Sequence, residues 1–185
     1  MHKILVICGS VRPTRICPEV ARWVMDRLPP GAPLALELTD LADWPLPLDG
    51  EPGIPARDGY TRPLTHAWSR TVVAAAGYVL VTPQYNWGYP AALKNVLDHL
   101  YREWAGKPAM IVSYGMRGGG KAAAQLREVL DGLHMRPTAT MPALTLPAAM
   151  KTGAAFDIAT GPFDALADTV AQAFAELAAL LAPTA

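Results

Sequence analysis

The sequence has few cysteines, no long apolar run and no excess of either charge. Its 185 residues contain 2 cysteines, Cys8 and Cys17, too few for a disulfide framework or a four-ligand zinc site. No stretch approaches the roughly 18 apolar residues of a membrane span, and the apolar run at residues 4–8 is too short for a signal peptide. We therefore expect a cytoplasmic protein with no membrane segment and no bound metal.

Charge and composition narrow the classes of partner. The 16 Lys and Arg residues balance the 16 Asp and Glu residues, so no overall field draws the protein to nucleic acid. Hydrophobic residues make up 51% of the chain and charged residues 17%, which is typical of a folded domain and allows for surface buried in an oligomer. This length predicts a single domain over residues 1–185.

Short apolar runs alternate with helical periods along the chain. The runs at 3–8, 34–38, 78–82, 109–113 and 138–141 predict strands, and the strongest three lack the polar alternation of a half-exposed strand. Apolar residues at helical spacing predict helices after Pro18 and over 62–76, 90–104, 121–133 and 162–181. The alternation predicts an α/β fold, a flavodoxin-like three-layer sandwich with a five-stranded parallel sheet in the order 2-1-3-4-5 and helices on both faces. The Pro- and Gly-rich stretch 43–59 is interpreted as an irregular excursion over one edge of the site.

The turn after the first strand is a candidate phosphate site. In a doubly wound sheet, ligands bind at the carboxyl ends of the strands where strand order reverses, here between the first and third strands. Gly9 permits a tight turn, Ser10 offers a hydroxyl and an N–H group, and Arg12 and Arg15 can neutralise a phosphate beside a helix N-terminus. The alternative is an ordinary polar turn with two solvated arginines.

The stretch GMRGGGKA at 115–122 follows the fourth strand and matches G-x-x-x-x-G-K. An ATPase loop needs Ser or Thr after the lysine to bind magnesium, whereas this chain has Ala122, and none of the apolar runs ends in the Asp that would hold the metal. The four glycines in six residues instead predict a backbone that runs close to a flat ligand, with a flexible lid as the alternative.

The third strand runs into PQYNWGYP at 83–90. The turn around Asn86 can direct backbone amides at a heterocycle, and Tyr85, Trp87 and Tyr89 can supply aromatic walls. Aromatic residues after a core strand also serve as packing, which is the alternative. Their place at the predicted crevice favours ligand contact.

Three segments together resemble the NADPH-dependent FMN reductase family, whose members include quinone, azo-dye and chromate reductases. GSVRPTR at 9–15, PQYNWGYPAALKN at 83–95 and SYGMRGGGKAAAQL at 113–126 look like its phosphate, flavin-edge and glycine-loop motifs. The similarity spans residues 3–140, and the middle motif is the most specific. The chain departs from many members in having Arg15 and Cys17 after Arg12, so that a phosphate contact there would come from a guanidinium.

The resemblance implies FMN as cofactor and NADPH or NADH as reductant. Hydride would pass from the nicotinamide to flavin N5 and on to a small acceptor such as a quinone, azo compound, metal oxyanion or free flavin, with no separate catalytic acid or base. The implied cofactor-binding residues are Ser10, Arg12, Arg15, Pro83, Gln84, Tyr85, Asn86, Trp87, Ser113, Tyr114, Gly115 and Gly118. The resemblance also implies a homodimer or homotetramer, and the segment 90–104 is either a contact surface or part of the core.

Two other functions fit the predicted fold. A flavodoxin-type electron carrier would bind FMN without oxidising NAD(P)H directly, although such carriers have a strongly acidic surface and this chain has a net charge of +0. A binding domain that lost its cofactor is the other. As a hypothesis, Arg117 in the glycine loop meets the phosphates of the pyridine nucleotide.

Overall fold

The strands of the sheet are parallel and, numbered along the chain, pair in the predicted order 2-1-3-4-5, which confirms the predicted fold. The computed structural model describes residues 1–48 and 50–182. Residue 49 of the predicted excursion and residues 183–185 of the predicted domain lie outside the described residues. The four long strands are β1 (His2–Cys8), β2 (Leu34–Asp40), β3 (Gly77–Pro83) and β4 (Pro108–Gly115). Every residue of β3 is buried, as expected for a run without polar alternation.

The fifth position of the sheet is shared by two short strands, β5 (Arg136–Pro137) and β6 (Ala143–Thr145), both parallel to β4. The prediction of a strand at 138–141 is therefore wrong in its position. Glu176 accepts hydrogen bonds from the Thr140 N–H at 2.8 Å and from its hydroxyl at 2.5 Å. Because that N–H is bound to a carboxylate, it is not available to pair with β4, and the strand is interrupted there.

Five helices are described: α1 (Cys17–Met25), α2 (Pro63–Val73), α3 (Ala91–Asp98), α4 (Gly120–Gly132) and α5 (Ala167–Leu181). The predicted helix over 90–104 ends six residues early. The carbonyl of Leu97 accepts hydrogen bonds from the indole of Trp104 at 3.1 Å and from the N–H of Leu100 at 3.3 Å, which closes the helix with a turn. The predicted helix over 162–181 begins at Ala167, after a short 3-10 turn.

Alternate residues of each central strand face opposite sides of the sheet. Leu5 and Ile7 of β1 pack into a core with α2, α3 and α4, whereas Ile4 and Val6 pack into a second core with α1 and α5. Burial of each large apolar side chain contributes about 1.5–3 kcal/mol. The two cores clad both faces and leave the strand ends free to carry the site.

The irregular segment from Trp44 to Arg62 crosses α3, and side chains tie it down. Asn95 donates to the carbonyl of Leu46 at 2.9 Å, and a ring nitrogen of His99 lies 2.8 Å from the carbonyl of Pro47. Within the described parts of the chain, no helix is both long and apolar enough to cross a membrane.

Glu51 anchors this segment to the start of α2. Its carboxylate accepts from the N–H and hydroxyl of Thr61 at 2.8 and 2.9 Å, and from the N–H of Arg62 at 3.1 Å. Burial acts to raise the pKa of Glu51, but hydrogen bonds from Thr65, Thr61 and Arg62 outweigh it and lower the pKa to about 2.

This geometry predicts an acid-sensitive contribution to stability. Because the pKa of Glu51 in the folded protein lies below its ordinary 4.5, the contribution is present above pH 4.5 and is lost as pH falls toward 2. Glu51→Gln should lower the free energy of unfolding by about 1–3 kcal/mol at neutral pH, and the difference should shrink through that window, as measured by urea denaturation. Glu37→Gln, which removes an exposed partner of Lys3, should cost less than about 1 kcal/mol; equal losses would contradict the assignment.

Candidate functional site

The carboxyl ends of β1, β3 and β4 bring three turns to one edge of the sheet. Cys8 at the end of β1 pairs with Val81 of β3, and Pro83 at the end of β3 pairs with Tyr114 of β4. The turns that follow span residues 9–16, 84–90 and 116–119. The first two predicted motifs therefore flank the position where strand order reverses, and the third follows the next strand of the sheet.

The first turn is tight and directs a buried hydroxyl at the second turn. A Cβ on Gly9 would lie 3.1 Å from both the Val81 carbonyl oxygen and Leu93 Cδ2, so a side chain here would require these neighbours to shift by a few tenths of an ångström. Ser10 is fully buried, and its Oγ lies 2.7 Å from the Oη of Tyr85 and accepts from the N–H of Arg12 at 3.4 Å. The hydrogen bond between Ser10 and Tyr85 joins the first turn to the second turn.

The two arginines of the first turn have different roles. Arg15 donates to Asp40 at 2.6 Å and to the carbonyl of Arg12 at 3.2 Å, and the hydrogen bond with Asp40 raises its pKa. The exposed Arg12 guanidinium lies 3.6 Å over the ring of Tyr85 and makes no ion pair within residues 1–48 and 50–182. Arg15 thus braces the turn, while Arg12 carries a charge that has no carboxylate partner among the described residues.

Cys17 and Cys8 belong to the core beneath this turn. Both are free and fully buried, and the thiol of Cys17 donates to the Val81 carbonyl at 3.3 Å. The hydrogen bond to Cys17 and burial both raise the pKa of the Cys8 thiol. α1 begins at Cys17 without a side-chain cap, which leaves its N-terminus able to accept an anion.

The second turn reverses the chain over two residues, one of which is Trp87, an unusual residue in this conformation. Tyr85 and Gly88 exchange backbone hydrogen bonds of 2.8 and 3.0 Å, and Asn86 and Trp87 between them have φ values of 47° and 74°, as in a type I′ turn. Asn tolerates this left-handed region, whereas a bulky Trp is strained there. Trp87 is 53% exposed, and the Nζ of Lys121 lies 3.9 Å over its ring.

Gln84 connects the second turn to α4. Its N–H donates to the Tyr114 carbonyl at 2.9 Å, and its side-chain oxygen accepts from the N–H of Ala122 at 3.3 Å. The N-cap of α4 is Gly119, which has no side chain, so Gln84 supplies the cap.

The glycine-rich turn is held by its own chain. Ser113 donates to the Gly118 carbonyl at 2.8 Å, and Gly118 and Gly119 have φ values of 75° and 82°. A Cβ on Gly119 would lie 3.0 Å from Ser113 Cβ and from the Tyr114 carbonyl oxygen. Close approach to a ligand is therefore not needed to explain these two glycines. Tyr114 is 3% exposed and its side chain belongs to the core on the α1 face.

A cleft of about 360 Å³ opens between the second and third turns. Its lining residues are Gln84, Asn86, Trp87, Gly115, Met116 and Arg117. Asp40, Met116 and Lys121 are site residues that the sequence-based prediction missed. An acidic residue at the end of β2 was a usable signal for Asp40, but only the topology places it beside Arg15. Within the described residues, no group of three potential metal ligands occurs.

The arrangement matches one known family. The family model described as NADPH-dependent FMN reductase matches residues 2–149. The chain belongs to this family. The predicted family membership, oxidoreductase class and cofactors, FMN and NAD(P)H, are thereby confirmed.

Known proteins are similar to this chain in sequence or in fold. An NAD(P)H-dependent FMN reductase from Schizosaccharomyces pombe is 55% identical over 147 residues, covering 78% of this chain and 74% of the relative. A quinone reductase from Escherichia coli is 34% identical over 140 residues, covering 69% of each. A crystal structure of an oxidoreductase from Corynebacterium diphtheriae has a TM-score of 0.70 at 17% identity, covers 98% of this chain and 97% of that one, and shows the shared fold.

The residues present fit the cofactor of the family. The buried hydroxyl of Ser10, the free charge of Arg12 and the uncapped start of α1 are a donor set suited to a phosphate dianion. The cleft beside Tyr85 provides space bounded by one aromatic and one glycine-rich turn. The Ser10–Tyr85 hydrogen bond places these two regions side by side.

Two neighbouring glycines, Gly119 at the end of the third turn and Gly120 at the start of α4, should respond oppositely to the same substitution. Gly119→Ala forces a side chain into a left-handed conformation and a 3.0 Å contact, so we expect a loss of about 1–3 kcal/mol in unfolding free energy. Gly120 begins α4, and a Cβ added there would meet open space, with no atom beyond its own helix within 4 Å, so Gly120→Ala should gain about 0.5–1 kcal/mol. Urea denaturation of the cofactor-free proteins measures both, and similar effects at the two positions would contradict an internal requirement.

Proposed function

We propose that the protein is an FMN-dependent NAD(P)H oxidoreductase that passes electrons to a small acceptor, with quinones as the first candidates. The observation that carries the proposal is the 2.7 Å contact between Ser10 and Tyr85, because it joins the candidate phosphate turn to the turn whose Gln84, Asn86 and Trp87 line the cleft. The quinone reductase among the relatives supports the choice of acceptor.

In this proposal the chain binds and orients, and provides no acid or base. Ser10, Arg12 and the first turn of α1 hold the phosphate, with Arg15 as the brace that keeps the Arg12 carbonyl in place. The residues that would hold the ring belong to two segments, Pro83 to Trp87 and Ser113 to Gly118, which contain Gln84, Trp87 and Gly115 of the cleft lining. When bound, FMN supplies two-electron chemistry that links the pyridine nucleotide to the acceptor. The geometry of the turns determines which flat molecules reach the same place.

We also propose that the protein forms a homodimer or homotetramer and works in the cytoplasm. A groove of about 400 Å³ lies between the 41–48 segment and α3, and its apolar lining includes Val11, Trp44 and Leu46. Leu48 at its rim is 75% exposed, a cost that burial against a second copy would remove. A solution mass equal to one chain would contradict the oligomer. The two free thiols support a reducing compartment.

The decisive experiment distinguishes a reductase from an electron carrier. Purified protein loaded with FMN is mixed with NADPH under argon, and the visible absorbance of the flavin is followed. We expect rapid bleaching, with the colour restored on adding a quinone. Protein that retains bound FMN and stays yellow in NADPH would be an electron carrier, and protein that binds no FMN would be neither.

The phosphate assignment predicts that the affinities for FMN and riboflavin separate. Arg12→Ala removes a charge-assisted contact, so the Kd for FMN should rise by about tenfold or more, while riboflavin, which has no phosphate, should change little. Arg22→Ala, on the outer side of α1, is the matched control and should alter neither Kd more than about twofold. Fluorescence titration measures all four constants. Equal losses for both ligands in Arg12→Ala would place Arg12 away from the phosphate.

A further inference from the structure

Three residues at the mouth of the cleft are unfavourable for the stability of the turn or helix in which they lie. Trp87 holds a φ of 74°, a strained conformation for a bulky side chain. Lys121 lies in the first turn of α4, which has no acidic residue and where the helix dipole already places positive charge. Arg117 adds a second exposed cation in the preceding turn. Local stability does not account for these three choices, and sites that break local rules are often functional.

The three side chains form one cluster, which we name the mouth cluster: Trp87, Arg117 and Lys121. The Lys121 ammonium sits 3.9 Å over the Trp87 ring, which holds its charge beside the aromatic surface. Trp87 and Arg117 both line the cleft, and Trp87 remains 53% exposed. Neither cation forms an ion pair with any described carboxylate.

The cations of the first turn belong to a different part of the site. Arg15 is neutralised by Asp40, and Arg12 lies over Tyr85 at the phosphate-type turn. The cleft lining itself contains no acidic residue. An electron-rich ring and two cations without a described carboxylate partner therefore lie together at the mouth of the cleft.

We infer that the mouth cluster selects acceptors that are flat, electron-poor and negatively charged, a specificity within the function proposed above, on which it rests. An electron-poor ring stacks on the indole, and an anionic substituent meets the ammonium and guanidinium. A neutral quinone gains only the stacking contact. Reduction of either quinone to its hydroquinone takes two electrons and two protons; NADPH supplies a hydride and becomes NADP⁺, and solvent supplies the second proton.

A binding experiment tests the cluster without turnover. Oxidised, FMN-loaded protein is titrated calorimetrically with naphthalene sulfonate, a redox-inert anionic ring, and with naphthalene methanol, its neutral counterpart. We expect tighter binding of the sulfonate, with the preference falling as salt is added. The double variant Arg117→Met with Lys121→Met should reduce the preference by about three- to tenfold. Trp87→Ala should weaken both ligands.

Kinetics supply the second readout, at saturating NADPH. The ratio of kcat/KM for naphthoquinone sulfonate to that for menadione, a neutral naphthoquinone, should fall in the double variant and not in Lys3→Met. Lys3 is the matched control because it lies at the opposite end of β1 and pairs with Glu37. Arg117, Lys121 and Lys3 are surface cations, so we expect the melting temperatures of the double variant and of Lys3→Met to equal that of the parent. Unchanged melting temperatures exclude a loss of fold.

Two outcomes would overturn the inference. One is an unchanged ratio of kcat/KM for the two quinones in the double variant. If that ratio is unchanged and the KM for NADPH rises, the cations bind the nucleotide phosphates instead. The other is equal affinity of the parent for the sulfonate and the neutral ring. Failure of the FMN-loaded parent to reduce any quinone with NADPH is a different result, because it would contradict the proposed function itself.

Discussion

The parallel pairing of β1 with β3 is the constraint on which the site depends. It sets Cys8 beside Val81, so the turns that follow these strands begin as neighbours although the strands are far apart in the chain. Ser10 and Tyr85, 75 residues apart, can then share a 2.7 Å hydrogen bond. A strand order that separated β1 from β3 would also separate the first turn from the cleft. The fold contributes to function through this adjacency.

Charge placement divides the site into a braced region and two free regions. The ion pair of Arg15 with Asp40 is partly buried and stiffens the first turn from behind. Arg12 at one end of the site, and Arg117 with Lys121 at the other, have no carboxylate partner among the residues described. A chain with 16 positive and 16 negative side chains can thus have local positive fields where described cations lack a carboxylate partner.

Much of the fold and the identity of the three turns could be predicted, because they depend on local patterns. The details within the turns could not. Four glycines suggested a close ligand, yet Gly119 is explained by its own φ of 82° and by the nearby Ser113 side chain. Gln84, which lines the cleft as its predicted role requires, also caps α4, and nothing in the residue spacing indicated that second contact. Both features arise from contacts across the sheet edge, which residue spacing does not reveal.

By itself the sequence determined the alternation of buried strands and helices, the strand order that follows from right-handed crossovers, and the family, since periodicity and short motifs are local properties. Only the tertiary structure decided where the fifth strand is broken, through Glu176 and Thr140, and where α3 ends, through Trp104. It also decided that Arg15 pairs with Asp40. Each of these depends on the competition of distant side chains for one backbone or charged group, and such competition is settled only when the chain is folded.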